Sequence, residues 1–453
     1  MELHLTLDKF TNNVTLNTVQ MQKAIDECSN SGGGKLFLPK GKISLGTVLL
    51  KSNVHIVLQD ETVILGSLNF DDYLRDEKVD YPLYQDASHS FFNCSLFVGK
   101  DCENISITGK GLIDMQSVWD EENIRNIVHR GAKAIALKEC KHAYIDGVTV
   151  NNCTDLAIYF AGCEHVEIAN VKMRTYIDGI SPDNSKNVKI HDCDVETGDD
   201  GIVFKSSYTL NRLDICDNIH VWNCRIKSRC NAIKFGTESN GGFENILIEN
   251  IDIRETRITG VSIESVDGAI IDGITVRNVK MRNVNAPIFV HIGKRMRGPA
   301  GREFGKIKNI VFENITADGP YEEYEIVPWN YVSYKANDLL QKPWIFGVAE
   351  SFDDTYSGNT KDSDWQMTSN VCGLKESPIE NVAIKNIHFK LDGGVKEYKK
   401  DVPEEAQDYP EVYVYGRILP AKGIYFRYVK NLKIENAIIE TYRPDAREDF
   451  VIQ

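Results

Sequence analysis

Several things are missing from this chain of 453 residues. None of its 11 cysteines forms a CxxC pair, which sets aside zinc ribbons and thioredoxin-type motifs. Abundant thiols, odd in number, fit a reducing compartment. The N-terminus, "MELHLTLDKFTNNVTLNTVQ", has no basic segment leading into an apolar one. No apolar run approaches the length of a membrane span. The reading is therefore a cytoplasmic protein, or a secreted one whose leader was removed. Positive charge is also short: 52 Lys and Arg stand against 66 Asp and Glu, a net charge of −14. That argues against nucleic acid and anionic membrane as main partners, since both reward a basic surface. It leaves room for an acidic sugar, because one pocket can be basic on an acidic protein.

What is present is a repeat. The pattern Asn/His-apolar-x-apolar, closed by a polar residue or glycine, appears as "NISITG" from Asn104, "HAYIDG" from His142, "HVEIAN" from His165 and "NVKIHD" from Asn187. It returns as "NIHVWN" from Asn218, "NILIEN" from Asn245, "GAIIDG" from Gly268, "NIVFEN" from Asn309, "NVAIKN" from Asn381 and "NLKIEN" from Asn431. From His142 the spacings are 23, 22, 31, 27 and 23 residues; the later ones of 41, 72 and 50 imply insertions or unrecognised units. Each unit alternates with period two, the mark of a strand. A period of ~22 residues is too short for paired-helix repeats. The leucine frame of leucine-rich repeats is absent, and no helix recurs between the strands. The expected fold is a single all-β, right-handed parallel β-helix over residues 1–453, each coil stacked one strand spacing of ~4.8 Å on the last.

A second ladder supports stacking. Cys102, Cys140, Cys163 and Cys216 lie two residues before the repeat's Asn or His, Ser185 fills the slot between, and Cys193 and Cys224 share a later slot. Small buried thiols stacked in the interior are the expectation; disulfides between coils are possible but not required. An open solenoid needs a covered end. Residues 1–50 are expected to supply it, with a helix capped by Asn17 whose Met21, Ala24, Ile25 and Cys28 share one face. Residues 317–378 break the repeat and hold Trp329, Trp344 and Trp365 with several tyrosines, fitting either a sugar-stacking loop or a small packed subdomain.

The chemistry-bearing residues sit at one coil spacing. "YIDGISPDNS" contains Asp178, and "ETGDDGIVF" contains Asp199 and Asp200, 21 and 22 residues later. Three carboxylates on one face would raise one another's pKa, leaving one protonated as an acid and another ionised as a base. Glycoside hydrolysis needs that pair. A solvated turn and a calcium loop compete, although neither EF-hand spacing nor the Gly-rich calcium nonapeptide is present.

On these residues the sequence resembles glycoside hydrolase family 28, the polygalacturonases and relatives. The family's Asn-Thr-Asp-Gly is similar to "YIDG", retaining Asp178 and Gly179, and its Gly-Asp-Asp-x-Ile-x-x-Lys matches "GDDGIVFK", residues 198–205. The likeness extends to "AID…GGGKLFLPKG", "GKGLID" and "PAKGIYFRYVKNLKIEN", nearly the whole chain. It implies inverting hydrolysis, with Asp199 protonating the leaving oxygen and Asp178 and Asp200 activating water. Two motifs depart. The family's Gly-His-Gly aligns with Cys230-Asn231-Ala232, and its carboxylate-binding Arg-Ile-Lys with Ser262-Ile263-Glu264. A bidentate arginine contact cannot survive that second change.

"FGTESNGG" and "APIFVHIGKR" resemble a bacterial branch with exo-acting or rhamnogalacturonan-directed members. Lys205, Lys234, His291, Lys294 and Arg295 then form the best set for a sugar carboxylate. Asn231, Glu238 and Glu264 would line the groove. His142, His165 and His191 occupy repeat slots and are expected to stack or face solvent. The sequence therefore predicts an enzyme that cleaves α-linked pectic oligosaccharides, galacturonate- or rhamnogalacturonan-type, with no cofactor and no metal. Loops at 69–94 and 317–378 would close one end of the groove and favour exo-action. A β-helix polysaccharide lyase and a non-catalytic carbohydrate-binding β-helix are the alternatives.

Overall fold

The computed structural model describes residues 2–118, 130–320, 366–404 and 410–453. The chain divides into two compact units, Met1–Gly198 with Ser207–Cys224, and Asp199–Ser206 with Arg225–Gln453.

In the first unit, parallel strands stack in register and one apolar position repeats through the interior. Leu36 pairs with Ile56, Ile56 with Ile107, Ile107 with Ile145, Ile145 with Ile168, Ile168 with Ile190 and Ile190 with Val221. All are buried. Burying each such side chain contributes about 1.5–3 kcal/mol. A second row runs Ile43, Ile64, Ile113, Val150, Met173 and Val195, and a third runs Phe97, Ile135, Ile158 and Ile180. Three rows on three parallel sheets make a β-helix.

The second unit follows the same rule. Ile248, Val276, Phe312, Ile384 and Ile434 form one row, and Phe204, Phe235, Ile263, Val290, Val371 and Phe426 another. Here the later repeat spacings are explained. Ile310 pairs directly with Val382, and Ile384 with Ile434, so spacings of 72 and 50 are single coils with inserted loops. One repeat unit shifts. Ile246 pairs with Ile274, so Gly273 and not Gly268 takes the Asn245 slot, 28 residues on. Both glycines have positive φ, so the glycine signal could not choose between them; the apolar register does.

The repeat's Asn or His has a conformational cause. Asn104, His142, His165, Asn187, Asn218 and Asn245 all have φ between 53° and 57°. The chain turns there through the left-handed region, which Asn tolerates better than most residues. A second ladder of asparagines does the same and is cross-linked: Asn314 donates to Asn278 at 3.0 Å and accepts from Asn386 at 3.1 Å. The repeat histidines stack: His142 on His165 at 4.8 Å, and His191 on Trp222 at 4.1 Å.

The cysteines are free, and all but the half-buried Cys230 are buried. Along their ladder Cys140 N–H donates to Cys163 Sγ and Cys163 N–H to Ser185 Oγ. The helix is Val14–Asn30, and it buries Met21, Ala24, Ile25 and Cys28 as expected. Its cap is Asn13, not Asn17: Asn13 Oδ1 accepts from Leu16 N–H. Asn17 lies a turn inside, buried, where its side chain accepts from Thr11 N–H and donates to Ser44 O. Gln22 ties the helix to the first coil, exchanging hydrogen bonds with Leu49 N–H and C=O. Among the described residues no helix is long and apolar enough to cross a membrane. Trp329, Trp344 and Trp365 lie outside the described residues, so the 317–378 break is described only at its two ends.

The left-handed asparagines give a stability test. Asn314→Ala should lower the thermal midpoint through both lost ladder bonds and backbone strain of about 1–2 kcal/mol. Asn314→Gly should lose the bonds without the strain. The expected order of melting is wild type, then Gly, then Ala; an alanine variant as stable as the glycine variant would remove the conformational argument.

Candidate active site

The Asp-Asp pair lies between two glycines that neighbouring coils require. In the first unit, a Cβ on Gly198 would stand 2.2 Å from Tyr176 O. In the second, a Cβ on Gly201 would stand 2.5 Å from Ala232 O. Backbone packs where a side chain would be, so only glycine fits. The motif is thus part stacking constraint and part chemistry.

In the first unit Asp178 is buried, just ahead of the strand Ile180–Asp183. Its carbonyl accepts from Ala157 N–H on the preceding coil. The loop of residues 69–94 brings His89 beside it, with Nε2 3.9 Å from Asp178 Oδ2. Tyr159 secures that loop: its hydroxyl lies 2.8 Å from His89 O and 3.0 Å from Asp183 Oδ2, two acceptors for its one proton. One coil back, Asp155 is wholly buried. Burial alone would push its carboxyl up, but Lys133 and Arg130, with two backbone N–H donors, bring it down to about 2. His89 and Asp155 escaped the sequence reading. His89 lies in an irregular loop and Asp155 in no motif, so no repeat slot marked either.

In the second unit Asp199 is partly exposed and Asp200 is buried. Ser228 Oγ donates to the Asp199 carbonyl at 2.6 Å. Asp200 Oδ1 accepts twice from Asn231, from N–H at 3.2 Å and from Nδ2 at 2.8 Å. Asn231 in turn accepts from Thr259 Oγ1. So Asn231, in the slot where the resemblance places a histidine, fixes a carboxylate and carries no titrating proton.

Alternation along the sheet puts Lys234, Ser262, Glu264 and His291 on the same outward face. Yet all four are buried. Lys234 Nζ stands 2.5 Å from Glu411 Oε1, 3.6 Å from Glu264 Oε1 and 3.9 Å from Asp200 Oδ2. Asn231 Nδ2 also reaches Glu411 Oε2 at 3.5 Å. Glu411 had no signal in the sequence, because it lies 177 residues from Lys234 and outside every repeat. Burial is the main cause that pushes the Glu411 carboxyl up to about 8; Lys234 opposes the rise, and Glu264 and Asp200 add to it. Glu264 is raised as well, chiefly by burial, against Lys234 and the Ser262 hydroxyl. Its Oε2 is buried with no hydrogen-bond donor among the described residues. One ammonium therefore serves several carboxyls, and burial favours the protonated form of Glu411 and Glu264.

The expected basic set changes character. Lys205 is buried against Glu238 at 2.8 Å. Arg295 binds Asp267 at 2.5 Å and reaches Thr237 Oγ1 and O, so it braces the backbone before Glu238. His291 is buried beside Tyr415 Oη at 3.1 Å, and burial with the nearby Arg427 brings it down to about 3. It is neutral near pH 7 and adds no positive charge, a correction to its place among the cations. Lys294 is the most exposed of the five, 3.9 Å from Glu376 and over the Phe304 ring at 5.5 Å.

Glu411 supplies a pH test. Its pKa is raised on folding, so its contribution is fully present below the ordinary carboxyl value and is lost as pH rises toward 8. The thermal midpoint of wild type should therefore fall relative to Glu411→Gln between about pH 5 and pH 8. Parallel curves for the two proteins would mean that Glu411 ionises as an ordinary surface carboxylate does.

Several known proteins and one family model resemble this chain. The model for Glycosyl hydrolases family 28 matches residues 28–326. An exo-poly-alpha-D-galacturonosidase of Dickeya chrysanthemi is 26% identical over 287 residues, 52% of this chain and 47% of that protein. The chain spans about half the length of such curated relatives. Among solved structures, a hyperthermoactive exopolygalacturonase from Thermotoga maritima aligns with a TM-score of 0.68 at 17% identity, covering 97% of this chain and 92% of that one. A family 28 exopolygalacturonase from Yersinia enterocolitica aligns with a TM-score of 0.66 at 18% identity, covering 97% and 78%. At such identity the likeness speaks for the fold, a right-handed parallel β-helix. The family match covers well over half of the chain and includes Asp178, Asp199 and Asp200, so the chain belongs to glycosyl hydrolases family 28.

Proposed function

We propose that the chain hydrolyses α-linked pectic oligosaccharides of galacturonate or rhamnogalacturonan type, acting from one chain end, with inversion. The observation that carries this reading is the "GDDGIVFK" coil. It holds a partly exposed Asp199 beside an Asp200 fixed by two hydrogen bonds from Asn231, inside the family-matched span. Exo-action draws support from the names of three of the relatives, an exo-poly-alpha-D-galacturonosidase and two exopolygalacturonases.

In the proposed reaction Asp199 gives its proton to the glycosidic oxygen as the C1–O bond breaks. Asp178 and Asp200 take a proton from a water that attacks C1 on the opposite face. One water is consumed, and the two carboxyl functions exchange protonation states. His89, at 3.9 Å from Asp178, is placed to influence that carboxylate's charge. The substrate carboxylate would find its cations already engaged, Lys205 with Glu238 and Lys234 with Glu411. Galacturonate is therefore one candidate among pectic sugars rather than a required one.

A screen of pectic, rhamnogalacturonan and neutral α-linked oligosaccharides, with products resolved by mass, tests the substrate class. Asp199→Asn should lower kcat by about 10²–10⁴-fold while leaving substrate binding intact. Turnover equal to wild type would sink the assignment, as would an unsaturated product absorbing in the ultraviolet, which is the mark of a lyase.

Stereochemistry is separable. Proton NMR of early time points should show the new reducing end as the β-anomer before mutarotation. An α-anomer at the first time points would rule out inversion and require a covalent intermediate.

A further inference from the structure

Asp178 and His89 lie far apart along the chain of the first unit, yet one short run of residues holds both. Ala157 N–H donates to the Asp178 carbonyl at 3.0 Å. Two residues on, the Tyr159 hydroxyl lies 2.8 Å from the His89 carbonyl, and its ring meets the His89 ring edge-on at 5.6 Å. The loop is fastened one residue earlier too. Ser88 Oγ donates to Asp155 Oδ2 at 3.1 Å, and Arg130 N–H donates to the same oxygen at 2.9 Å. Leu156 N–H donates to Asp155 Oδ1 at 2.7 Å, and Lys133 Nζ stands 3.7 Å from it. Asp155 and Lys133 are almost wholly buried. A buried ion pair adds little to stability, because desolvation offsets the attraction. What this one fixes is the placement of Ser88, and with it His89.

His89 Nε2 stands 3.9 Å from Asp178 Oδ2, with both side chains almost wholly buried. That distance is too long for a direct hydrogen bond. It suits one oxygen seated between the two, about 2.8 Å from each. We propose that His89 is a further catalytic residue, which together with Asp178 seats the attacking water. This rests on the reading of Asp178 as a base. The water donates one O–H to the Asp178 carboxylate and accepts His89 Nε2–H on one lone pair. Its other lone pair is left for C1. As the new C1–O bond forms, the donated proton passes to Asp178, and the leaving oxygen takes the proton of Asp199. His89 gives up no proton in the step. Its part is to fix the direction of a small nucleophile that a single contact would leave free to turn.

The test uses the full chain with pectic oligosaccharides as substrates. His89→Gly should lower kcat about 10²-fold with KM little changed. Free imidazole should restore part of that kcat, and none of the loss in Asp178→Asn. His89→Gln, whose amide also donates, should retain more kcat than His89→Leu, and this pair replaces the glycine variant should that one fail to fold. A raised KM at unchanged kcat would mean a contact to a sugar hydroxyl, and it overturns the proposal. A fall in kcat that neither imidazole nor glutamine relieves marks a merely structural loop and overturns it as well. Wild-type turnover in His89→Gly beside a loss in Asp178→Asn overturns this proposal alone. Wild-type turnover in Asp178→Asn would instead sink the reading of Asp178 as a base.

Discussion

The constraint on which everything else depends is in-register parallel stacking. Within each unit a residue sits above its counterpart one coil earlier, one strand spacing away. An apolar residue in one coil therefore demands an apolar residue in the next, which is why Ile107, Ile145, Ile168 and Ile190 form a line. The same constraint sets the turns. A coil that bends through the left-handed region favours Asn or Gly there, and stacking then brings the ladder side chains into contact. It also sets the functional motif: Gly198 and Gly201 are glycines because neighbouring backbone occupies the place of a Cβ. Two carboxylates are thereby fixed at a corner between strands, where a loop would let them turn away.

Stacking explains the unusual electrostatics too. The sheet that carries Lys234, Glu264 and His291 is buried on both faces, so charged groups on its outer face cannot rely on water. They resolve that cost differently. Lys205 and Arg295 pair with Glu238 and Asp267. His291 stays neutral, and Glu411 and Glu264 hold their protons to higher pH. A patch that reads as cationic in one dimension is balanced in three. Recognition of an acidic sugar there would depend on exchanging partners rather than on meeting open cations.

Much of this was legible from residues alone. Alternation, a period near 22 and the Asn/His ladder pointed to stacked coils, and those coils are observed. The helix face of Met21, Ala24, Ile25 and Cys28 is buried as its spacing required. The errors have local causes. Asn17 and Asn13 both precede helical residues, and only the observed acceptor geometry separates cap from interior. Gly268 and Gly273 both favour positive φ, and the strand register chose between them. The late repeat spacings left insertions and unrecognised units both open, and the strand pairing decides for insertion, since an inserted loop lengthens a coil without adding one.

The sequence by itself determined the fold class and the family, and it singled out the carboxylates proposed for acid–base work, because these are written in periodicity and in one compact motif. Tertiary structure decided the state of the charges. Whether Lys234 is open or engaged, whether His291 is charged, and whether Asp200 has a companion depend on Glu411, Asn231 and burial on both sheet faces. Those contacts join residues as many as 180 positions apart. Coulomb and desolvation energies are set by separation in space and exclusion of water, and neither is a property of order along the chain.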